Sequence, residues 1–83
     1  MVKVKTVHLQ YFALFRERAG RAAETRQTRA GTLGELYAEL REAYGFPLGP
    51  EQVRAAVGEE YRDLEAPVED GMQVVFLPPV AGG

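Results

Sequence analysis

One stretch, TLGELYAELREAYG (residues 32–45), writes out a helix from cap to cap. Thr32 is a good N-cap, and Glu35 three residues on completes a capping box. Leu33, Leu36, Tyr37, Leu40 and Tyr44 recur at helical spacing and share one face. Gly45 supplies the stop, and Pro47 lies just beyond it. The spacing predicts a helix over residues 33–44 with a single apolar stripe. Such a stripe has to be laid across another apolar surface, and the rest of the chain reads as short strands. Tyr37 and Tyr44 read as core aromatics with their hydroxyls at the edge of the core.

Val7, Leu9, Tyr11 and Ala13 alternate, which predicts a first strand over about residues 7–13. Val2 and Val4 fall in the opposite phase, so either a bulge sits near Lys5-Thr6 or residues 1–5 form a loose extension. LFRERAG reads as a polar turn ending at Gly20. RAAETRQTRAG reads as a second, more exposed strand that makes a hairpin with the first. VRAAVG predicts a short strand over 53–57, and EEYRDLEAPVEDG is irregular, with an Asp70-Gly71 turn. MQVVFL, residues 72–77, is nearly continuously apolar, as a central strand buried on much of both faces should be. The order β-β-α-β-β predicts an α+β fold: one mixed sheet with one main helix packed across it. The domain is expected over residues 1–77, with 78–83 as an extended, flexible tail.

With 83 residues the chain is one small domain. Its formal net charge of -2 argues against nucleic acid as the main partner. A local basic cluster is formed by Arg16, Arg18 and Arg21. There is no cysteine and no serine, hence no thiolate or serine nucleophile and no disulfide. The single histidine, His8, lies on the polar phase of the first strand and reads as a surface residue. Glu59-Glu60 and Glu69-Asp70 read as solvated loop charges. MVKVKTVHLQ lacks the apolar core of a signal peptide, and no run approaches a membrane span. A cytoplasmic protein with no bound metal, no membrane association and no nucleic-acid partner is expected.

What remains is the run FLPPVAGG, residues 76–83. Pro78 and Pro79 cannot donate to a sheet ladder, so they end the strand and stiffen the exit into an extended path. Val80 and Ala81 are small, and Gly82 and Gly83 offer the least bulky backbone available. Read physically, this is either an arm able to thread a narrow channel, with a carboxylate as its only reactive group, or an inert stub.

FLPPVAGG resembles the end of the MoaD family, the small sulfur-carrier subunits of molybdopterin synthase. FALFRERAG, the T-L-G-E-L helix opening and PVEDGMQVVFLPPVAGG extend the resemblance over about residues 7–83. The extra MVKVKT and Gly58, where the family often has a larger polar residue, depart from it. The resemblance implies a β-grasp, ubiquitin-like fold whose first and last strands are parallel and central, bringing the tail beside residues 14–18. It implies that Gly83 is adenylated by an ATP-using, E1-like enzyme of the MoeB type and becomes a thiocarboxylate. The tail then enters a MoaE-type large subunit, within a heterotetrameric synthase, and gives its sulfur to a cyclic pyranopterin phosphate. ATP belongs to the activating enzyme, and the chain itself holds no cofactor. It acts as a co-substrate rather than as an enzyme. Gly83 carries the reacting carbon, Gly82 leaves room around it, and Pro78, Pro79, Val80 and Ala81 guide the tail. Sulfur carriers for thiamine or tRNA thiolation, and a ubiquitin-like modifier, are the neighbouring alternatives.

Strand phase adds one expectation. If Val7, Leu9, Tyr11 and Ala13 face the helix, Phe12 and Leu14 face away from it, as do Val75 and Leu77. Phe12, Val75 and Leu77 then form an apolar patch near the tail, which is either a docking surface for both partners or packing under a loop. Arg16 and Arg18 either steer an acidic partner surface or belong to a solvated turn.

Overall fold

The computed structural model describes residues 3–79. In chain order the elements are β1 (Lys5–Gln10), α1 (Ala13–Ala19), β2 (Ala23–Thr28), α2 (Leu33–Tyr44), a 3-10 turn (Pro50–Gln52), β3 (Arg54–Val57), β4 (Glu60–Arg62) and β5 (Gln73–Leu77). The five strands form one mixed sheet in the order β2-β1-β5-β3-β4. β1 and β5 are parallel neighbours, and every other pair is antiparallel. This is the β-grasp arrangement, with α2 packed across one face.

α2 forms over the residues its sequence specifies. Leu33, Leu36, Tyr37 and Leu40 are buried and Tyr44 is half-buried. The Glu35 backbone N–H donates to Thr32 Oγ1 at 3.1 Å. The Glu35 carboxylate reaches one residue further back than a standard capping box does, accepting from the Gly31 N–H at 2.7 Å. Gly45 closes the helix in the left-handed region, at φ 72°.

The inward faces of the strands supply the rest of the core. Val7 and Leu9 of β1, Val74 and Phe76 of β5 and Ala55 of β3 are buried, as are Tyr11, Phe15, Phe46 and Val68. The aromatic residues gather at one end of the core. Phe15 meets Phe46 at 4.9 Å between ring centroids, and Tyr37 meets Phe76 at 5.2 Å. Edge and tilted contacts of this kind add directional preference to the area they bury.

Several expectations are corrected here. β1 runs over Lys5–Gln10 rather than 7–13, and its pairing with β2 is continuous from Lys5↔Thr28 to Gln10↔Ala23. No bulge interrupts that ladder, and Lys5 belongs to the strand rather than to a loose extension over residues 1–5. The strand stops because Ala13 takes φ 52° and the chain turns into α1. LFRERAG is therefore mostly helix: Phe15 and Ala19, four residues apart, are buried under a polar outer face. β1 and β2 do pair antiparallel, but the connection contains that helix instead of a simple loop. The supposedly irregular EEYRDLEAPVEDG begins with β4, an exposed three-residue edge strand. Gly58 is explained by the β3–β4 turn, where it adopts φ 65° and donates its N–H to the Gln73 carbonyl at 3.2 Å. A residue with a side chain would be strained there.

Candidate functional site

The parallel pairing of β1 and β5 sets His8 level with Gln73 and Gln10 level with Val75. Both strands therefore finish at the same edge of the sheet. α1 begins three residues beyond β1, and Pro78 follows β5 directly. Phe76 is 1% exposed, Leu77 and Pro78 are half-buried, and Pro79 is exposed. The chain thus emerges from the core into solvent over four residues. Val80, Ala81, Gly82 and Gly83 lie outside the described residues.

The sheet face opposite α2 rises toward this exit. Ladder pairing places Ala23, Gln10, Val75, Ala56 and Tyr61 in one row across all five strands. Leu77 and Arg54 are partners in the next row. Val75, Ala56 and Leu77 are half-buried, whereas Tyr61 is 67% exposed. The Arg54 guanidinium lies 5.8 Å from the Tyr61 ring centroid. Such a contact places the guanidinium over the ring face and keeps the ring partly covered. The lower part of this face is polar: His8, Gln10, Thr25 and Gln73 line a shallow concavity of about 440 Å³ with Ala23, Gly58 and Val75. His8 is exposed, and its Nδ1 lies 3.2 Å from Thr25 Oγ1.

The structure therefore brings Val75 and Leu77 together on the open face. Phe12 is not the strand residue that alternation implies. It is the N-cap of α1, extended at φ -127° and ψ 157°, and 49% exposed because the chain turns immediately after it. It shares the end of the sheet where Leu77 lies. Ala13 does not face the core but is exposed, and Leu14 does not face away but packs against the core. Both reversals follow from the change of period from strand to helix at this point. Ala56, Tyr61 and Arg54 join the face without having been expected there. The signal for Tyr61 was a strand of three residues with one aromatic, too short for alternation to register.

A polar hub stands on the α2 side of the same end. The Glu24 carboxylate accepts hydrogen bonds from the Tyr11 and Tyr44 hydroxyls, each at 2.7 Å. Arg26 and Arg21 approach it at 3.6 and 3.7 Å. Burial alone would raise its pKa, but the two hydroxyls and two guanidinium groups outweigh burial and hold the carboxyl below its usual range. Burial, then the Glu24 contact, push Tyr11 and Tyr44 above the ordinary phenol range. Arg26 also pairs with Glu39 at 2.7 Å, which joins β2 to α2. Arg16 and Arg18 are exposed on α1, the helix that follows β1 at the end of the sheet where β5 also finishes. Among the described residues no group of acidic, histidine or cysteine side chains is arranged to hold a metal ion. No described helix is long and apolar enough to cross a membrane.

The sequence pattern of the ThiS family matches residues 9–83. No curated protein matches the chain. Among solved structures, the HVO 2177 protein of Haloferax volcanii is 26% identical, with a TM-score of 0.80 over 96% of this chain and 88% of that one. A candidate molybdopterin converting factor, subunit 1, from Pyrococcus furiosus is 24% identical, with a TM-score of 0.74 over 92% of this chain and 99% of that one. SAMP1 of Haloferax volcanii is 20% identical, with a TM-score of 0.72 over 94% and 99%. The last two likenesses establish a shared ubiquitin-like fold.

Proposed function

The chain belongs to the ThiS family, the ThiS/MoaD-type ubiquitin-like sulfur carriers, and we propose that within it this protein supplies sulfur for molybdopterin synthesis. Gly83 is adenylated by an E1-like enzyme of the MoeB type using ATP, exchanges the adenylate for sulfur, and enters a MoaE-type subunit as a thiocarboxylate. The activation step is needed because a carboxylate oxygen is a poor leaving group. The protein is consumed and recharged as a co-substrate in the cytoplasm and binds no cofactor of its own.

The observation that carries this reading is the exit of the chain. Pro78 and Pro79 follow a central strand whose Phe76 is locked in the aromatic core, and they lie at the end of the sheet that carries the exposed Phe12 and the Leu77-Val75-Ala56-Tyr61 face. A fixed root with small residues beyond it suits delivery of one carbon atom into another protein's active site. The face beside the root supports docking rather than loop packing, since Phe12 and Tyr61 are open to solvent. Pro78, Pro79, Val80 and Ala81 serve as the guide, and Gly82 leaves space for both partners.

Reconstitution tests the reading. Thiocarboxylated protein mixed with a MoaE-type subunit and the cyclic pyranopterin should yield the dithiolene product. Turnover with a thiazole synthase or a tRNA thiolation enzyme, and none with the MoaE-type subunit, would transfer the role to those pathways. Intact mass of protein from its own cytosol should show one oxygen replaced by sulfur. High-mass conjugates in its place would mark a protein modifier.

A further inference from the structure

Ten side chains of the sequence are lysine or arginine, and only Lys3 and Lys5 among them are primary amines. Both lie at the end of the sheet opposite the tail exit. His8 is level with Gln73; Lys5 comes three residues before His8, and Leu77 four residues after Gln73. Seven residues at roughly 3.3 Å each separate Lys5 from the level of Leu77, about 23 Å along the sheet. Lys3 is further still. The Lys5 ammonium also donates to the Ala30 carbonyl at 2.9 Å, on the β2 side of the sheet. Six residues from Leu77 to Gly83 reach at most about 20–22 Å fully extended. Because Ala30 lies beyond Thr28, the partner of Lys5, that contact turns the Lys5 side chain away from the exit, and a tail that must leave the sheet edge through two prolines and then double back falls short of both amines.

The cations around the exit are of another kind. Arg16 and Arg18 are exposed on α1, Arg21 follows it, and Arg54 is the ladder partner of Leu77. A guanidinium stays protonated and does not act as a nucleophile at neutral pH, whereas a lysine amine has a reactive unprotonated fraction. We propose that the exit end of this chain is kept free of lysine amines so that an activated carbonyl carbon at Gly83 is not captured by a side chain of its own protein. The proposal rests on the reading of Gly83 as the activated residue. In the reaction avoided, a lysine nitrogen attacks the acyl-adenylate carbon, the new C–N bond displaces AMP, and the nitrogen releases a proton. The resulting internal amide has lost the leaving group, so that copy is spent as a carrier. Arginine at positions 16, 18, 21 and 54 keeps positive charge beside the tail without supplying this nucleophile.

The test uses the full chain as a carboxyl-terminal thioester, made by cleaving an intein fusion with a small thiol and held dilute at mildly alkaline pH. Arg18→Lys and Arg54→Lys retain the charge and change exposed side chains on two different elements, so the fold is expected to stand. Wild type should decay to the free acid alone. Each variant should also give a product one water lighter than the acid, with the cross-link mapped to the substituted position. Internal amide formation by wild type at Lys3 or Lys5, as fast as hydrolysis, would overturn the proposal. So would decay of both variants to the acid alone, which would leave the arginines as a matter of composition. The thioester does not depend on cellular activation of Gly83, so a failure here is distinguishable from a failed reconstitution.

Discussion

Glu24 shows how one residue ties three elements together. From β2 it receives the hydroxyl of Tyr11, which follows β1, and that of Tyr44 at the end of α2. Its folded-state pKa is depressed, so the stability it contributes is present above the unfolded value near 4.3 and lost as pH falls through the folded value. Glu24→Gln should cost about 1.5–3 kcal/mol at pH 7, the range for hydrogen bonds to a charged group. The gap from wild type should close toward pH 3. Urea unfolding at the two pH values measures both, and an equal gap at each would show that charge is not the cause. Tyr11 and Tyr44 have the opposite sign: their raised pKa values keep the neutral forms, and that stability is lost as pH climbs above about 10. Ala13 is a second informative residue, because φ 52° is costly for any side chain. Ala13→Gly should relieve about 1 kcal/mol of that cost and raise the melting temperature. A lower melting temperature would mean that the alanine methyl makes contacts worth more than the strain.

At the scale of elements, β4 is a three-residue edge strand that widens the open face by one aromatic. The Val75-Ala56-Tyr61 row exists only because β4 pairs with β3. If this face docks partners, Tyr61→Ala should weaken binding to the adenylating enzyme by about 1–2 kcal/mol, as truncation of an interface tyrosine often does. The melting temperature should barely change, since the ring is exposed. Calorimetric titration with unchanged affinity would remove β4 from the interface. The same elements show what was legible in the sequence. α2 was readable to the residue because a cap, five periodic apolar positions and a terminal glycine all agree. β5 was readable within one residue because its composition allows little else. α1 was missed because seven residues expose only two buried positions, Phe15 and Ala19, amid charged neighbours. Its start at Ala13 depends on a backbone angle that alanine does not advertise. β4 was missed for the related reason that three exposed residues carry no alternation. The open face was therefore legible as Val75 and Leu77 from β5, whereas Tyr61 and Arg54 needed the ladder register.

The whole molecule has a charge asymmetry that its net charge of -2 conceals. Arg16, Arg18, Arg21 and Arg54 cluster around the exit end, where Glu17 and Glu51 oppose them. The other end carries Glu59 in the β3–β4 turn, Glu60 beside it, and Glu69 and Asp70 in the loop that docks on Thr6, against Lys3, Lys5 and Arg29. If the tail is presented first to successive partners, as proposed, such polarity helps, because long-range attraction orients an encounter before short contacts form. The partner rim should then be acidic. Arg16→Glu combined with Arg54→Glu should slow association with the adenylating enzyme roughly tenfold at low ionic strength. Dissociation should change less, because rim charges act mainly on encounter. The difference should shrink as added salt shortens the Debye length to about 3 Å near 1 M. Stopped-flow association rates across a salt series read this directly. If wild-type association accelerates with salt, the rim is basic, and the arginines serve the tail's own chemistry rather than its delivery.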